Sequence, residues 1–430
     1  EAGLSLNTGQ VNGVTVTGFT DNGGGNYTAT YTVAEGNTDR AAGDNIPVNF
    51  ILADVAGNNS SAFTTAISQA GDPIDANSPS VTSVSIPNAA AKVGDAITVT
   101  IVASEAGLSL NTGQVNGVAV TGFTDNGGGN YTATYTVVEG NTDRAAGDNI
   151  PVNFILADAA GNNSSAFTTA ISQAGDPIDA NTPTITSVSI PNAAAKVGDA
   201  ITVTIVASEA GLSLNTGQVN GVTVTGFTDN GGGNYTATYT VAEGNTDRAA
   251  GDNIPVNFIL TDAAGNTSSA FTTAISQASD PIDANSPSVT SVSIPNAAAK
   301  VGDAITVTIV AGEAGLSLNT GQVNGVAVTG FTDNGGGNYT ATYTVAEGNT
   351  DRAAGDNIPV NFILADAAGN NSTAFTTAIS QAGDPIDANS PSVTSVSIPN
   401  AAAKVGDAIT VTIVASEAGL SLNTGQVNGV

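Results

Sequence analysis

Residues 130–137 read NYTATYTV. Tyr131, Ala133, Tyr135 and Val137 fall on one face and the threonines on the other, the two-residue period of a half-buried β-strand. The same alternation runs through VTSVSI (81–86), AITVTIV (96–102), GQVNGVAV (113–120), IPVNFILA (150–157) and SAFTTAIS (165–172). TGFTD (121–125) makes a seventh strand, joined to NYTATYTV by the hairpin turn DNGGGN (125–130). No segment sustains a helical period, and PNAAAKVGD (87–95) holds one turn at most. Seven short strands in about 100 residues, with turn signals between them, predict an all-β, immunoglobulin-like sandwich.

The pattern recurs. EAGLSLNTGQVNGV begins at residues 1, 105, 209, 313 and 417, a period of 104. The copies are nearly identical, differing at positions such as Ala119 against Thr223 or Ala157 against Thr261. This period exceeds the 20–50 residues of solenoid repeats and suits a domain with its own core. GDPIDANSPS (71–80), with two prolines and no alternation, is the natural linker. That phasing predicts complete modules over 78–181, 182–285 and 286–389, placed end to end in a rod. It leaves partial modules over 1–77, lacking the first strands, and 390–430, holding only the first strands. The expectation is a window cut from a longer array, with unpaired strand edges in 1–77 unless another chain's 390–430 completes them.

Composition narrows the chemistry. With no Cys, His, Met or Trp, the chain has no thiol or imidazole nucleophile, no His or Cys metal site and no disulfide. Eight basic residues against 37 acidic ones make nucleic acid a poor partner. Mean hydropathy is slightly positive, unlike a disordered chain. No apolar run is long enough to insert in a membrane.

Charge is concentrated in the loops. Each repeat has nine acids: Asp95, Glu105, Asp125, Glu139, Asp143, Asp148, Asp158, Asp176 and Asp179. None falls within the six alternating strands. In an up-and-down arrangement Asp95, Glu139, Asp143, Asp148, Asp176 and Asp179 lie at the C-terminal end of a module. Glu105, Asp125 and Asp158 lie at the N-terminal end, so both sets meet where modules join. Carboxylates a few ångströms apart repel by several kcal/mol even at an effective dielectric near 20. Lys92 and Arg144, the two bases per repeat, cannot neutralise them. Arg144 is expected to pair with a neighbouring carboxylate and Lys92 to be a solvated loop charge.

Oxygen-only ligands point to Ca²⁺ rather than zinc or copper. The expected cage is Glu139, Asp143, Asp148, Asp176 and Asp179, with Asn181 and the incoming Glu209 or Asp262. Asp95, Glu105 and Asp158 are further candidates. The equivalent candidates are Glu35, Asp39, Asp44, Asp54, Asp72 and Asp75 in the first fragment. The next copies supply Asp199, Glu243, Asp247, Asp252, Asp280 and Asp283, then Asp303, Glu313, Glu347, Asp351, Asp356, Asp366, Asp384 and Asp387. Glu417 belongs to the last fragment. The competing reading is that these acids are solvated loops that keep the protein soluble. DAAGNN (158–163) either closes the cage or simply makes an Asx turn.

Other motifs are weaker. DNGGGN is not a phosphate loop, since no Lys or helix follows. Neither an EF-hand pattern nor a calcium-binding nonapeptide occurs. Outward threonines form a hydroxyl array for ice or glycan, or reflect β-propensity alone. A catalytic carboxylate pair would have to recur in every copy without an aromatic cleft, so no enzyme is expected.

PNAAAKVGDAITVTI, NGGGNYTATYTV, IPVNFILADAAGN and the acidic proline linker resemble the immunoglobulin-like extender repeats of giant RTX adhesins, ice-binding ones among them. The resemblance covers the whole chain. It implies export by a type I system, a place on the surface of a Gram-negative bacterium, and several Ca²⁺ ions within and between repeats. It also implies that neighbouring repeats are the direct partners, while other domains bind the ligand. The expected function is then a calcium-rigidified spacer. The alternative is a weak ligand-binding module acting by avidity.

Overall fold

The computed structural model describes residues 1–69, 71, 73–172, 175, 177–277, 280–427 and 429. The chain divides into two compact units. One comprises Glu1–Ile185, Ala207–Asn215 and Ile259–Ser269; the other comprises Thr186–Val206, Thr216–Phe258 and Ala270–Val430. Each contains one whole repeat, over 78–181 and 286–389 respectively.

In the first unit, two sheets face each other over residues 78–181. The larger has the order Thr121–Asp125, Asn130–Thr136, Ala96–Ala103, Val81–Ser85, all antiparallel. The smaller has the order Val118–Ala119, Ser109–Val115, Val152–Ala157. The register Val99↔Ala133 and Ile101↔Tyr131 turns one row of the larger sheet inward. Thr98↔Thr134 and Thr100↔Thr132 make up the outward row. Val99, Ile101, Tyr131 and Tyr135 meet Val115, Phe154 and Leu156 from the smaller sheet, all with no exposed surface. Burying each of the larger side chains stabilises the fold by about 1.5–3 kcal/mol. Phe123 stacks on Tyr131 with ring centroids 5.1 Å apart.

Two sequence features are steric requirements. A Cβ at Gly113 would lie 2.8 Å from Val120 Cγ2 and 3.0 Å from Leu110 Cδ1, so only glycine lets these side chains cross the strand. Asn116 and Gly117 adopt φ of 51° and 79° and close a tight hairpin that pairs Val115 with Val118.

The structure corrects two expectations and sharpens a third. The third strand starts at Ser109 rather than Gly113 and ends at Val115. A register shift between Leu110 and Thr112 breaks its alternation, which hid its beginning. SAFTTAIS is not a continuous strand: it meets the sheet through isolated bridges, Phe154↔Phe167 and Ile150↔Ile171. PNAAAKVGD holds no helical turn. Instead Ala91–Lys92 pairs in parallel with Ile178–Asp179 at the far end of the same repeat. Ile178 also exchanges both backbone hydrogen bonds with Arg144, at 2.8 and 2.9 Å, so it is held on two flanks. Pairs this short and this distant in sequence leave no periodic signal.

The second unit repeats the plan over 286–389. Val289–Ser293, Ala304–Ala311, Asn338–Thr344 and Thr329–Asp333 form its larger sheet. Val326–Ala327, Ser317–Val323 and Val360–Ala365 form the smaller. Its core is the same set, including Val307, Tyr339, Tyr343 and Phe362. The copy between them carries strands at matching positions, from Ile185–Ser189 to Ile282–Asp283. In residues 1–77, Tyr27 and Phe50 are half-buried where Tyr131 and Phe154 are wholly covered. Over 390–430, a Val393–Ser397 and Thr412–Ala415 hairpin leaves Val393 and Val396 exposed. Among the described residues no helix is long and apolar enough to cross a membrane.

Candidate functional site

The acidic loop 139–149 is positioned before its carboxylates do anything. Arg144 Nε donates to Asn116 Oδ1 at 2.8 Å, and Asn116 Nδ2 donates to Thr142 O at 2.7 Å. The Arg144 side chain therefore engages a buried amide here, where a carboxylate was expected, and pins the loop to the hairpin at 116–117. From this platform two acids grip the linker. Asp143 accepts from Ala180 N at 2.8 Å and from Asn181 Nδ2 at 2.8 Å. Both Glu139 oxygens accept from Thr182 N at 3.2 Å.

Asp247 and Glu243 hold Ala284, Asn285 and Ser286 in the same way, as do Asp351 and Glu347 with Ala388, Asn389 and Ser390. Asp39 and Glu35 do so for Ala76, Asn77 and Ser78. Backbone and side-chain donors favour the ionised acid: the amide of Ala76 and the Asn77 side chain hold Asp39 below the usual range.

Other candidates close their own turns. Asp95 accepts from Lys92 N and Asp148 from Ala145 N. Asp199, Asp303, Asp44, Asp252 and Asp356 repeat these bonds. Asp125, the last residue of its strand, caps Gly107 N and Gly127 N at 2.7 Å. Asp280 and Asp384 are half-buried early in their linkers, and Glu417 is exposed. Asp72 and Asp176 lie outside the described residues.

The loop at 158–163 and its equivalents face the linker from the other side. Asp158 Oδ1 accepts from Gly161 N and Asn162 N, the expected Asx turn, and Asp54 forms a like turn with Asn58. Asn162 Nδ2 then reaches Asp75 O at 3.3 Å, in the linker that precedes its own repeat. Asn266 reaches Asp179 O at 3.4 Å, and Asn370 reaches Asp283 O at 3.3 Å. Loop 158–163 thus both turns and touches the junction.

Carboxylates collect around these contacts. Burial raises the Glu209 carboxyl above its ordinary range, and the charges of Asp262, Asp179 and Asp143 raise it further. Asp179 is pushed up by burial and by Asp262, Asp143 and Glu139. In the second unit Glu313 and Asp283 are raised by burial first, then by neighbours that include Asp366 and Asp247. Glu105 responds likewise to burial and to Asp158, Asp75 and Asp39. Asp262 Oδ2 is buried and accepts no hydrogen bond. Even so, among the described residues no three acidic groups stand close enough to hold a metal ion as they are placed. The donor set is hard oxygen, arranged around the linker, with one buried carboxylate oxygen, Asp262 Oδ2, lacking a donor among the described residues. That fits a divalent cation drawing in the surrounding acids.

Sequence reasoning missed Lys92. It is half-buried, not solvated, and its Nζ donates to Gly265 O at 2.9 Å. Its neighbours in sequence carry no hint of a residue 173 positions away.

Residues 179–278 match the family model of a bacterial Ig-like domain. The matched sequence recurs with few changes at 75–174 and 283–382. No curated protein matches the chain. Among solved structures the chain is similar to FdeC, described as a broadly conserved Escherichia coli adhesin. Identity is 20%, coverage 72% of this chain and 98% of that one, and the TM-score 0.26. It is also similar to invasin, a bacterial integrin-binding protein, at 14% identity, 87% and 72% coverage and a TM-score of 0.25. The D00-D0 domain of intimin matches at 13% identity, 45% and 98% coverage and a TM-score of 0.20. The chain is a tandem series of immunoglobulin-like β-sandwiches, and one stretch of it matches a bacterial domain of that class.

Proposed function

We propose that these repeats are the calcium-stabilised extender of a bacterial cell-surface adhesin, a spacer that holds a ligand-binding domain elsewhere in the protein away from the cell. The observation that carries this reading is the set of carboxylates whose charges oppose one another around each linker, with Asp262 Oδ2 buried and undonated. An array with charge stored at every joint suits a mechanical task. Glu139, Asp143, Asp179, Glu209 and Asp262 would hold the ion in the first unit, and Glu243, Asp247, Asp283, Glu313 and Asp366 in the second. Bound Ca²⁺ would cancel the repulsion and tie two repeats through shared ligands. Ions that bind only the folded chain add directly to its stability.

The likeness to RTX extender repeats supports export to a Gram-negative surface, where calcium is plentiful. Extracellular sites of this kind have Kd of about 10⁻⁴–10⁻³ M, so the joints would order outside the cell. The test is small-angle scattering and thermal unfolding in millimolar Ca²⁺ and in excess chelator. Identical profiles in the two conditions would sink the calcium reading.

The second reading is a weak ligand-binding module. It is favoured by the hydroxyl rows Thr124–Thr132–Thr100 and Thr121–Thr134–Thr98, which cross the outer face of one sheet and recur in each repeat. It requires that the chain bind ice or glycan directly. A chain that binds neither leaves the spacer alone.

A further inference from the structure

The carboxylates are not all that joins one repeat to the next. In the first unit Lys92 Nζ donates to Gly265 O at 2.9 Å, and Val93 N donates to Asn266 Oδ1 at 2.9 Å. In the second, Lys196 Nζ donates to Gly369 O at 2.9 Å and Val197 N to Asn370 Oδ1 at 2.8 Å. Each pair lies 173 residues apart, so the start of one repeat meets a loop of the following one. We propose that the segment at Lys92–Val93 and the loop at Gly265–Asn266 form a metal-independent clasp, an interaction surface whose partner is the next copy of the same repeat.

The side chains at this contact are matched in detail. Asn266 and Asn370 are buried, each 4% exposed. The Asn266 amide is used at both ends: Oδ1 accepts from Val93 N, while Nδ2 donates to Asp179 O at 3.4 Å and to Asn181 O at 3.5 Å. Aspartate at this position would lose both donors and bring a charge toward two carbonyls. Gly265 and Gly369 have φ of 91° and 89°, the region that favours glycine. A Cβ would also stand 3.3 Å from Lys92 Nζ and 3.2 Å from Lys196 Nζ. Glycine therefore bares the carbonyl and makes room for the ammonium. Lys92 and Lys196 are both half-buried. An ammonium on a carbonyl is a charge-assisted bond and among the stronger polar contacts. It also brings a fixed positive charge to the acidic joint whether or not a cation is bound.

The clasp goes beyond the calcium reading and rests on different side chains, so the two can fail separately. The chain has no cysteine, and spin labels can be placed on the full protein at Thr98→Cys and Ser269→Cys, both exposed positions flanking the first clasp. The distance distribution between labels is measured in excess chelator and in millimolar Ca²⁺, in four backgrounds: parent, Lys92→Gln, Asn266→Ala and Lys196→Gln. In chelator the parent should give one narrow distribution, and Lys92→Gln and Asn266→Ala about a doubling of its width, since relative motion is the default for weakly joined domains. Lys196→Gln, the same change at the other clasp, should match the parent. The proposal is overturned if the parent in chelator is already as broad as Lys92→Gln, if Lys92→Gln and Asn266→Ala match the parent, or if all three variants broaden alike. Should added Ca²⁺ change none of the distributions while Lys92→Gln still broadens, the calcium reading falls and the clasp stands.

Discussion

Arg144 holds Asn116 by its amide oxygen, at 2.8 Å, while the same amide holds the Arg144 loop through Thr142 O at 2.7 Å. Asn116 does this from the left-handed region, φ 51°, beside Gly117. Asn116→Ala should therefore lose the buried bonds and strain the turn, destabilising its repeat by about 2–4 kcal/mol. Asn116→Gly keeps the backbone conformation and should cost less. Urea unfolding of the two variants measures the difference, and equal losses would show that backbone conformation contributes nothing here.

Without calcium, stability should pass through a maximum on the acid side of neutrality. Glu209, Asp179, Glu313 and Asp283 have folded carboxyls raised above their unfolded values, chiefly by burial. Their penalty is absent while they are protonated and grows as pH rises through those raised values. Asp39, Asp351 and Glu347 are lowered by hydrogen bonds, so their stabilisation is present above the ordinary carboxylate range and lost as pH falls through the depressed values. Melting temperature in chelator, followed from about pH 7 to about pH 3, should rise and then fall. A steady fall from neutrality would contradict the mutual repulsion.

Asp262→Asn separates metal binding from repulsion. The variant loses the charge at Asp262, whose Oδ2 accepts no hydrogen bond, and should bind Ca²⁺ more weakly by calorimetric titration. In chelator it should be at least as stable as the parent, because one of the charges that raise Glu209 and Asp179 is gone. At calcium near 100 times Kd the parent should gain about 2.7 kcal/mol per site over its own apo form, and the variant less. A variant weakened equally in both conditions would assign Asp262 to folding alone.

The core gives a contrast between repeats. Tyr239 OH accepts from Asn220 Nδ2 at 3.4 Å, but the equivalent Tyr135 OH is buried without a partner. Tyr135→Phe should be nearly neutral, within about 1 kcal/mol, since no good hydrogen bond is lost. Phe154→Ala, in the same core, should cost about 3–5 kcal/mol through the cavity it leaves. Denaturant midpoints of the two variants measure both.

The sandwich was legible because strands such as 96–103 and 130–136 bury one face and wet the other. Their alternation is a direct record of that contrast. It failed where regular pairing fails: at the register shift after Leu110, along the bridged segment around Phe167, and at the parallel pair of Ala91 and Ile178. At the site, loop composition, set on an up-and-down strand order, pointed to a cage of Glu139, Asp143, Asp148, Asp176 and Asp179 with Glu209 or Asp262. What it could not separate was Asp143, which grips the linker, from Asp148, which closes its own turn. Both are loop aspartates, and only the backbone donor within reach distinguishes them. Lys92 was misjudged for a like reason, because its acceptor belongs to another repeat.

The parallel pairing of Ala91–Lys92 with Ile178–Asp179 also determines how a repeat bears load. Ile178 lies between Ala91 on one side and Arg144 on the other, and Ala91 N and Arg144 N donate to Pro177 O and Ile178 O. Tension applied through the two ends of the repeat pulls these neighbouring strands past one another rather than peeling them apart. The bonds on both flanks then strain together and must give way together, so residues 177–179 resist extension as one unit. Bonds that open in sequence would yield at a much smaller pull.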